Sequence, residues 1–303
     1  MRRYVPLVVA VLACLDMTAG SAAGAAQPRT RTAAHRSVVR SHPHEAPVTA
    51  PITKRLYLAL GDSAPIWNGD VSYPNLLVAH YKTSGIDLKL TNMACSGETT
   101  SSMISGSLCA PGGSQLNDAE AFLRLHRGSV ALITIDIGGN DIVYCGSLTG
   151  IDESCVKKAE KTIRVNLNSI ITGLRKAAGP SAPIVSMTYY DPFLGDWLAG
   201  GATQTIALDT VPILEHLNHL LTAIYAGFGD HVADVQGAFE STDLHTFVAS
   251  PWGDVPVAVN NACSLLDITC QAGMPEGFGD DPNPAGAVVI AEAFETTMGP
   301  HLR

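Results

Sequence analysis

From Leu56 onward the apolar residues follow two rhythms. Some form short unbroken runs: Leu56-Tyr57-Leu58-Ala59-Leu60, and residues 130–137, which are rich in β-branched side chains. Runs of this length between turn residues read as strands buried on both faces of a sheet. Residues 87–92 alternate apolar and polar positions, and 183–188 and 231–235 complete a set of about five strands. The other rhythm has the spacing of a helix face and predicts helices over 72–81, 116–126, 155–178, 205–227 and 284–297. The third of these carries Ile163, Val165, Leu167, Ile170, Ile171 and Leu174, and Gly179-Pro180 stops it. Strand and helix alternate along the chain. That predicts an α/β fold with a mostly parallel, doubly wound sheet and helices on both faces. No internal repeat and no second linker divides this part of the chain, so a single domain over 54–303 is expected.

The first 53 residues have a different texture. Arg2 and Arg3 precede an apolar stretch at 5–14, and Ala23-Gly24-Ala25 offers a small-x-small cleavage site, the layout of a secretory signal over 1–25. Asp16 follows the apolar run, which falls short of the ~20 apolar residues that a membrane span needs. Cys14 follows Val11-Leu12-Ala13 as a lipid anchor would, but Leu12 is bulky for such a site, so a secreted protein is expected. Residues 26–53 are rich in Arg, His, Pro, Thr and Ala without apolar periodicity and read as a flexible basic linker. His35, His42 and His44 within it read as solvated rather than as metal ligands.

Charge sharpens this division. The net charge of −9 averages residues 1–55, with eight basic and two acidic residues, and a remainder with 11 basic and 26 acidic residues. An acidic body excludes nucleic acid as the main partner, because phosphate binding needs dense Lys and Arg. It also suits an anionic membrane surface poorly. A monomer is the expected state. Removing a signal takes away Cys14 and leaves Cys95, Cys109, Cys145, Cys155, Cys263 and Cys270, an even count that suggests disulfides in an exported protein. Six cysteines allow 15 pairings. The sequential set Cys95–Cys109, Cys145–Cys155 and Cys263–Cys270 closes three short loops and is the expected one.

Ligands in doubly wound sheets bind beyond the carboxyl ends of the strands. There the first strand is followed by Gly61-Asp62-Ser63, the second by Ala94-Cys95-Ser96-Gly97-Glu98-Thr99-Thr100, and the third by Gly138-Gly139-Asn140-Asp141. Together these turns supply a hydroxyl, a backbone N–H and a side-chain amide, which are the parts that acyl transfer needs. Each has a structural reading too: Ser63 and Asn140-Asp141 as helix caps, Gly97 as a tight turn. No Gly-rich loop ends in Gly-Lys-Ser/Thr, and no His/Asp/Glu cluster has metal-ligand spacing, so no cofactor and no metal are called for.

The stretch from Leu58 to Ser63, the Gly97 turn and Gly138-Gly139-Asn140-Asp141 resemble the first three blocks of the SGNH, or GDSL-type, hydrolases, which are serine esterases and lipases. Ala94 to Thr100 and Met187-Thr188-Tyr189-Tyr190-Asp191-Pro192-Phe193 resemble the secreted, disulfide-containing bacterial branch. The resemblance runs from about Leu56 to Phe294. It implies a flavodoxin-like three-layer sandwich, Ser63 as nucleophile, and Ser63, Gly97 and Asn140 as the oxyanion hole. The implied substrate is a carboxylic ester of a small molecule, a lipid or an acylated sugar.

One element departs. The family carries its histidine before the last helix, in a segment resembling Asp-x-x-His-Pro-Asn-x-x-Gly. This chain has Gly279-Asp280-Asp281-Pro282-Asn283-Pro284-Ala285-Gly286, which places Asp281 at the histidine position. His301 follows a helix roughly 21 Å long and ends far from Ser63. His245 falls in a loop that nothing brings to the site, and His216 and His219 fall on a helix. Aspartate, with a reference pKa of about 3.9 against about 6.5 for histidine, is the weaker base. The expectation is therefore a weakened hydrolase or, alternatively, a protein that binds an acyl or glycosyl ligand without turnover. Ser63 is also followed by Ala64-Pro65-Ile66-Trp67, where Pro65 and Trp67 either narrow the mouth of the site or pack against a neighbouring helix.

Overall fold

The computed structural model describes residues 55–107, 109–147, 149–267, 270 and 280–299. All belong to one compact unit, Ala50–Arg303. The expected signal (1–25) and linker (26–53), with Cys14 and the linker histidines, lie outside the described residues, as does His301. In chain order the strands are β1 (Leu56–Gly61), β2 (Lys89–Asn92), β3 (Val130–Asp136), β4 (Gly146–Ser147), β5 (Gly150–Ile151), β6 (Ile184–Met187), β7 (His231–Ala233), β8 (Phe247–Ser250) and β9 (Gly253–Pro256). β1, β2, β3, β6 and β7 form one parallel sheet in the order β2-β1-β3-β6-β7. Counted along the chain this is 2-1-3-4-5, the flavodoxin-like order, whose switch point lies between β1 and β3. The pairs β4–β5 and β8–β9 are small antiparallel hairpins.

The helices are α1 (Tyr73–Thr83), α2 (Thr100–Ile104), α3 (Gln115–Leu125), α4 (Gly139–Val143), α5 (Glu153–Ala178), α6 (Gly201–Gly227), α7 (Val235–Ala238), α8 (Val257–Leu265) and α9 (Pro284–Met298). α1 packs on α9, while α5 packs on α2, α3, α4 and α6. The chain leaves β1 toward β2 and then returns past it to β3. Right-handed crossovers in opposite directions put these two helix groups on opposite faces. Both faces of the sheet are thus covered, which is why β3 is buried at every position and β1 at all but Leu56.

The helix periodicity has one exception. Val165 is 60% exposed although Ile163, Leu167, Ile170, Ile171 and Leu174 around it are all buried. Two residues on from Ile163 it lies across the helix from the apolar stripe. α6 starts earlier than its apolar pattern suggests, at Gly201, after a 3₁₀ segment (Pro192–Ala199) and Gly200 with φ +69°. β7 ends early because Asp234 leaves the ladder and accepts the Gly237 N–H at 2.9 Å to cap α7. Disulfides join Cys95–Cys109, Cys145–Cys155 and Cys263–Cys270, the sequential set. Among the described residues no helix is long and apolar enough to cross a membrane.

Candidate active site

β1 and β3 close on each other at Gly61, where φ is +130° and an added Cβ would lie 2.2 Å from the Asp136 carbonyl oxygen. Only glycine permits that approach. Beyond the ladder the Gln115 side chain, at the start of α3, takes over the backbone of Gly61. Its Oε1 accepts the Gly61 N–H at 2.7 Å and its Nε2 donates to the Gly61 carbonyl at 2.9 Å. The same carbonyl accepts the Cys95 N–H at 3.0 Å, which ties the second strand-end turn to the first. Glu98 of that turn is buried and accepts from Gln115 Nε2 (3.1 Å) and from the Ser102 hydroxyl.

The third turn is tied to the second in the same way. Asn140 Nδ2 donates to the Glu98 carbonyl at 3.0 Å, and Asp141 accepts the Thr100 N–H at 2.8 Å and its hydroxyl at 2.6 Å. The three turns form one hydrogen-bonded unit at the switch point of the sheet. Among the described residues, the N–H groups of Ser63 and Gly97 find no acceptor. Gly97 turns with φ +75° beside Tyr144.

Behind Ser63 lies a buried acidic pair. Asp62 accepts the Tyr189 hydroxyl at 2.8 Å and the Ala64 N–H at 3.2 Å, and Asp136 accepts the Tyr73 hydroxyl at 2.8 Å. Burial raises both pKa values, that of Asp136 well above the carboxylate range, and the neighbouring charge of Asp62 raises it further. Of the two, Asp136 is the one that burial and its neighbour's charge push toward the protonated form. Tyr189 is itself fixed: its N–H donates to Asn218 Oδ1 at 2.7 Å and its carbonyl accepts Asn218 Nδ2 at 2.8 Å. A Cβ on Gly139 would run into the Tyr189 ring at 2.8 Å, so this glycine lets α4 start directly above it.

Ser63 and Asn140 open onto a cleft of about 750 Å³, counting the open space at its mouth. One wall is apolar and includes Ile142, Val143, Ile151, Phe193, Leu214 and Leu217. The lining also includes Asp62, Asp191, Asp280 and Asp281, and among the described residues no Lys, Arg or His. Gly97 is not among them, so the cleft brings together Ser63, Asn140 and Asp281 of the residues singled out in the sequence. Asp191 is buried and accepts the Thr210 hydroxyl at 2.7 Å and the Phe193 N–H at 3.0 Å; burial pushes its pKa up to about 7.

Asp281 sits on an extended strap before α9. The strap's backbone is held by four hydrogen bonds from three places: Tyr190 Oη donates to the Asp280 carbonyl (2.7 Å), Asn68 Nδ2 to the Pro282 carbonyl (2.6 Å), and from one segment Asp267 N–H donates to the Asp281 carbonyl (2.8 Å) while the Leu265 carbonyl accepts the Asn283 N–H (2.9 Å). Asn283 also caps α9, accepting the N–H groups of Ala285 and Gly286 at 2.9 and 3.1 Å. Its Nδ2 donates to the Ser264 and Leu266 carbonyls. Gly286 has no room for a Cβ, which would meet the Leu265 carbonyl at 2.1 Å. The Asp281 side chain is 7% exposed. Burial pushes its pKa up to about 6; the neighbouring Ser63 hydroxyl opposes this, and the charges of Asp280, Asp62 and Asp267 add to it. Trp67 Nε1 donates to Asp267 at 3.3 Å, so this side chain braces the strap instead of lining the cleft.

The residues 59–252 match the model of the GDSL-like lipase/acylhydrolase family. The chain belongs to this family. The match ends before the Asp281 strap. Among solved structures, the phospholipase A1 from Streptomyces albidoflavus NA297 superposes with a TM-score of 0.54 at 19% identity, covering 81% of this chain and 100% of that one. The extracellular lipase from Streptomyces rimosus superposes with a TM-score of 0.54 at 18% identity, covering 80% and 99%. At these identities the likeness is one of fold. No curated protein matches the chain.

Family membership makes the protein one of a hydrolase family, and the turns that carry the family's first three blocks are the ones cross-linked at the switch point. Four further residues around them were not singled out from the sequence: Gln115, Asp136, Tyr189 and Asn218. Tyr189 lies in a stretch already noted for its resemblance. The other three act through contacts 29 to 63 residues away along the chain, which no local pattern marks.

Proposed function

We propose that the protein is a secreted serine ester hydrolase with Ser63 as its nucleophile. The observation that carries this reading is that the Ser63 hydroxyl and the Asn140 amide share the mouth of one apolar-walled cleft. An acyl chain laid along the Ile142–Leu217 wall puts its ester carbonyl at Ser63. The N–H groups of Ser63 and Gly97 and the second amide hydrogen of Asn140 then donate to the oxyanion that forms on attack. Three disulfides fit an oxidising, extracellular setting. The substrate is a small-molecule, lipid or acylated-sugar ester, and the acidic residues of the cleft favour neutral esters over anionic ones.

The test is hydrolysis of p-nitrophenyl butyrate by the purified protein beside Ser63→Ala. Turnover well above that of the variant is expected; equal rates would contradict the assignment. A second reading, a binding protein without turnover, is favoured by the carboxylate of Asp281 where the resemblance implies a histidine. It predicts that Asp281→His brings turnover to a protein that otherwise has none.

A further inference from the structure

We propose that Asp281 is itself the general base, forming with Ser63 a two-residue catalytic pair that uses no histidine. The proposal rests on the reading of Ser63 as nucleophile. Its geometry is that of a serine and a carboxylate that line one cleft, with a backbone that leaves the carboxylate little freedom. The strap is fixed on both sides of residue 281, by Tyr190 at Asp280 and by Asn68 at Pro282, and the carbonyl of Asp281 is taken by Asp267. Among the described residues no histidine competes for the proton. The described histidines are His80, His126, His216, His219, His231 and His245, and none of them lines the cleft. Of the lining carboxylates, Asp62 is committed to Tyr189 and Asp136, and Asp191 to Thr210 and Phe193.

The chemistry balances without another group. As the Ser63 Oγ–carbonyl carbon bond forms, the Ser63 proton passes to Asp281 and the carbonyl π electrons move onto the oxyanion. Collapse breaks the ester C–O bond, and the leaving alkoxide takes the proton from Asp281, giving the acyl-enzyme and an alcohol. A water then gives its proton to Asp281 and its oxygen to the acyl carbon. Ser63 leaves with that proton, and the free acid is released.

The burial of Asp281 matters because a base works best with a pKa near the working pH. An ordinary aspartate is about 2.6 units weaker than histidine. At about 6, Asp281 recovers most of that difference and is still ionised at pH 7 and above. The groups that face it are Asp280, Asp62 and Asp267, all acidic, with Tyr190 beside them. Each keeps its pKa high, and no cation among the lining residues pulls it down. Only the ionised carboxylate accepts a proton, so turnover is lost as pH falls through about 6.

The experiment is the pH dependence of kcat/KM for p-nitrophenyl butyrate with wild type, Asp281→Asn and Ser63→Ala, together with labelling by a fluorophosphonate. Expected are a rising limb with its midpoint near pH 6 in the wild type and a loss of about 10²- to 10⁴-fold in Asp281→Asn. The limb should vanish in that variant while its melting temperature stays within a few degrees of wild type. Asp281→Glu should keep the limb, at reduced rate. Asp281→Asn within tenfold of wild type, with the limb in place, overturns the proposal. So does a wild type without turnover whose Ser63 still takes the fluorophosphonate. Ser63→Ala with unchanged turnover instead overturns the nucleophile assignment, which separates the two failures.

Discussion

Ser63 stands at the end of a strand buried on both faces, whereas Asp281 stands on a short strap that belongs to no sheet and is held from outside. On the Ser63 side the constraint comes from the strand order: β1 and β3 are pressed together at Gly61, and the turn that follows leaves from that contact. On the Asp281 side four hydrogen bonds from distant segments fix the main chain, and none of them involves the side chain of residue 281. The strap therefore keeps its place whatever side chain it carries. A change of side chain at such a position alters the chemistry of the site and leaves its main-chain geometry alone. The cleft then adjusts the chemistry in turn, since the burial and negative charge that surround Asp281 make it a stronger base.

The Ser63 side breaks hardest. Gly61→Ala forces a methyl group into the Asp136 carbonyl and a side chain onto φ +130°. We expect a loss of about 3 kcal/mol or more in urea unfolding, with turnover falling too as the three turns come apart. A fully stable Gly61→Ala protein would show that the β1–β3 junction does not set the site.

Behind the same turn, Asp136→Asn sharpens the account of the acidic pair. Folded Asp136 holds a proton that the unfolded chain loses above the ordinary carboxylate pKa of 3.8. The folded state then binds more protons than the unfolded one, so this pair makes stability fall as pH rises from about 4 toward its raised folded pKa. Asparagine keeps the acceptor for Tyr73 and a donor toward Asp62 without that proton. Chemical denaturation across pH should show a shallower decline in Asp136→Asn, by up to about 1.4 kcal/mol per pH unit within that window. An unchanged slope would mean that the pair holds no extra proton.

The strap side is expected to yield least. Asn283→Ala removes the α9 cap and two bonds to the preceding loop, at a cost of about 1 kcal/mol. The more telling readout is kcat, which should drop severalfold while KM moves little, because Asp281 loses its register with Ser63. A change in KM alone would place the strap in binding rather than in catalysis.

These two sides also differ in how much of them could be read from the chain. Runs such as Leu56–Leu60 mark buried strands because a parallel sheet needs apolar residues on both faces, and Gly-Asp-Ser after such a run marks the turn. The Pro-Asn-x-x-Gly spacing likewise registers the α9 cap. Hidden from that reading were the partners that arrive from afar: Gln115 on Gly61, Tyr189 on Asp62 and Asn68 on Pro282. Burial was hidden too, and with the neighbouring acidic charges it separates Asp281 with a pKa of about 6 from an aspartate in water. Val165 shows the converse, an apolar residue within a helical pattern that faces solvent because its phase is wrong.

The central claim, that Ser63 attacks the ester and Asp281 takes its proton, is tested most directly by trapping the acyl-enzyme. Purified protein mixed with p-nitrophenyl butyrate and quenched within its first turnovers should gain the mass of one butyryl group, mapped by peptide analysis to the peptide that carries Ser63. Asp281→Asn should form the same adduct at least a hundredfold more slowly at pH 7.5. A butyryl group on another residue, or equal acylation rates in the two proteins, would contradict it.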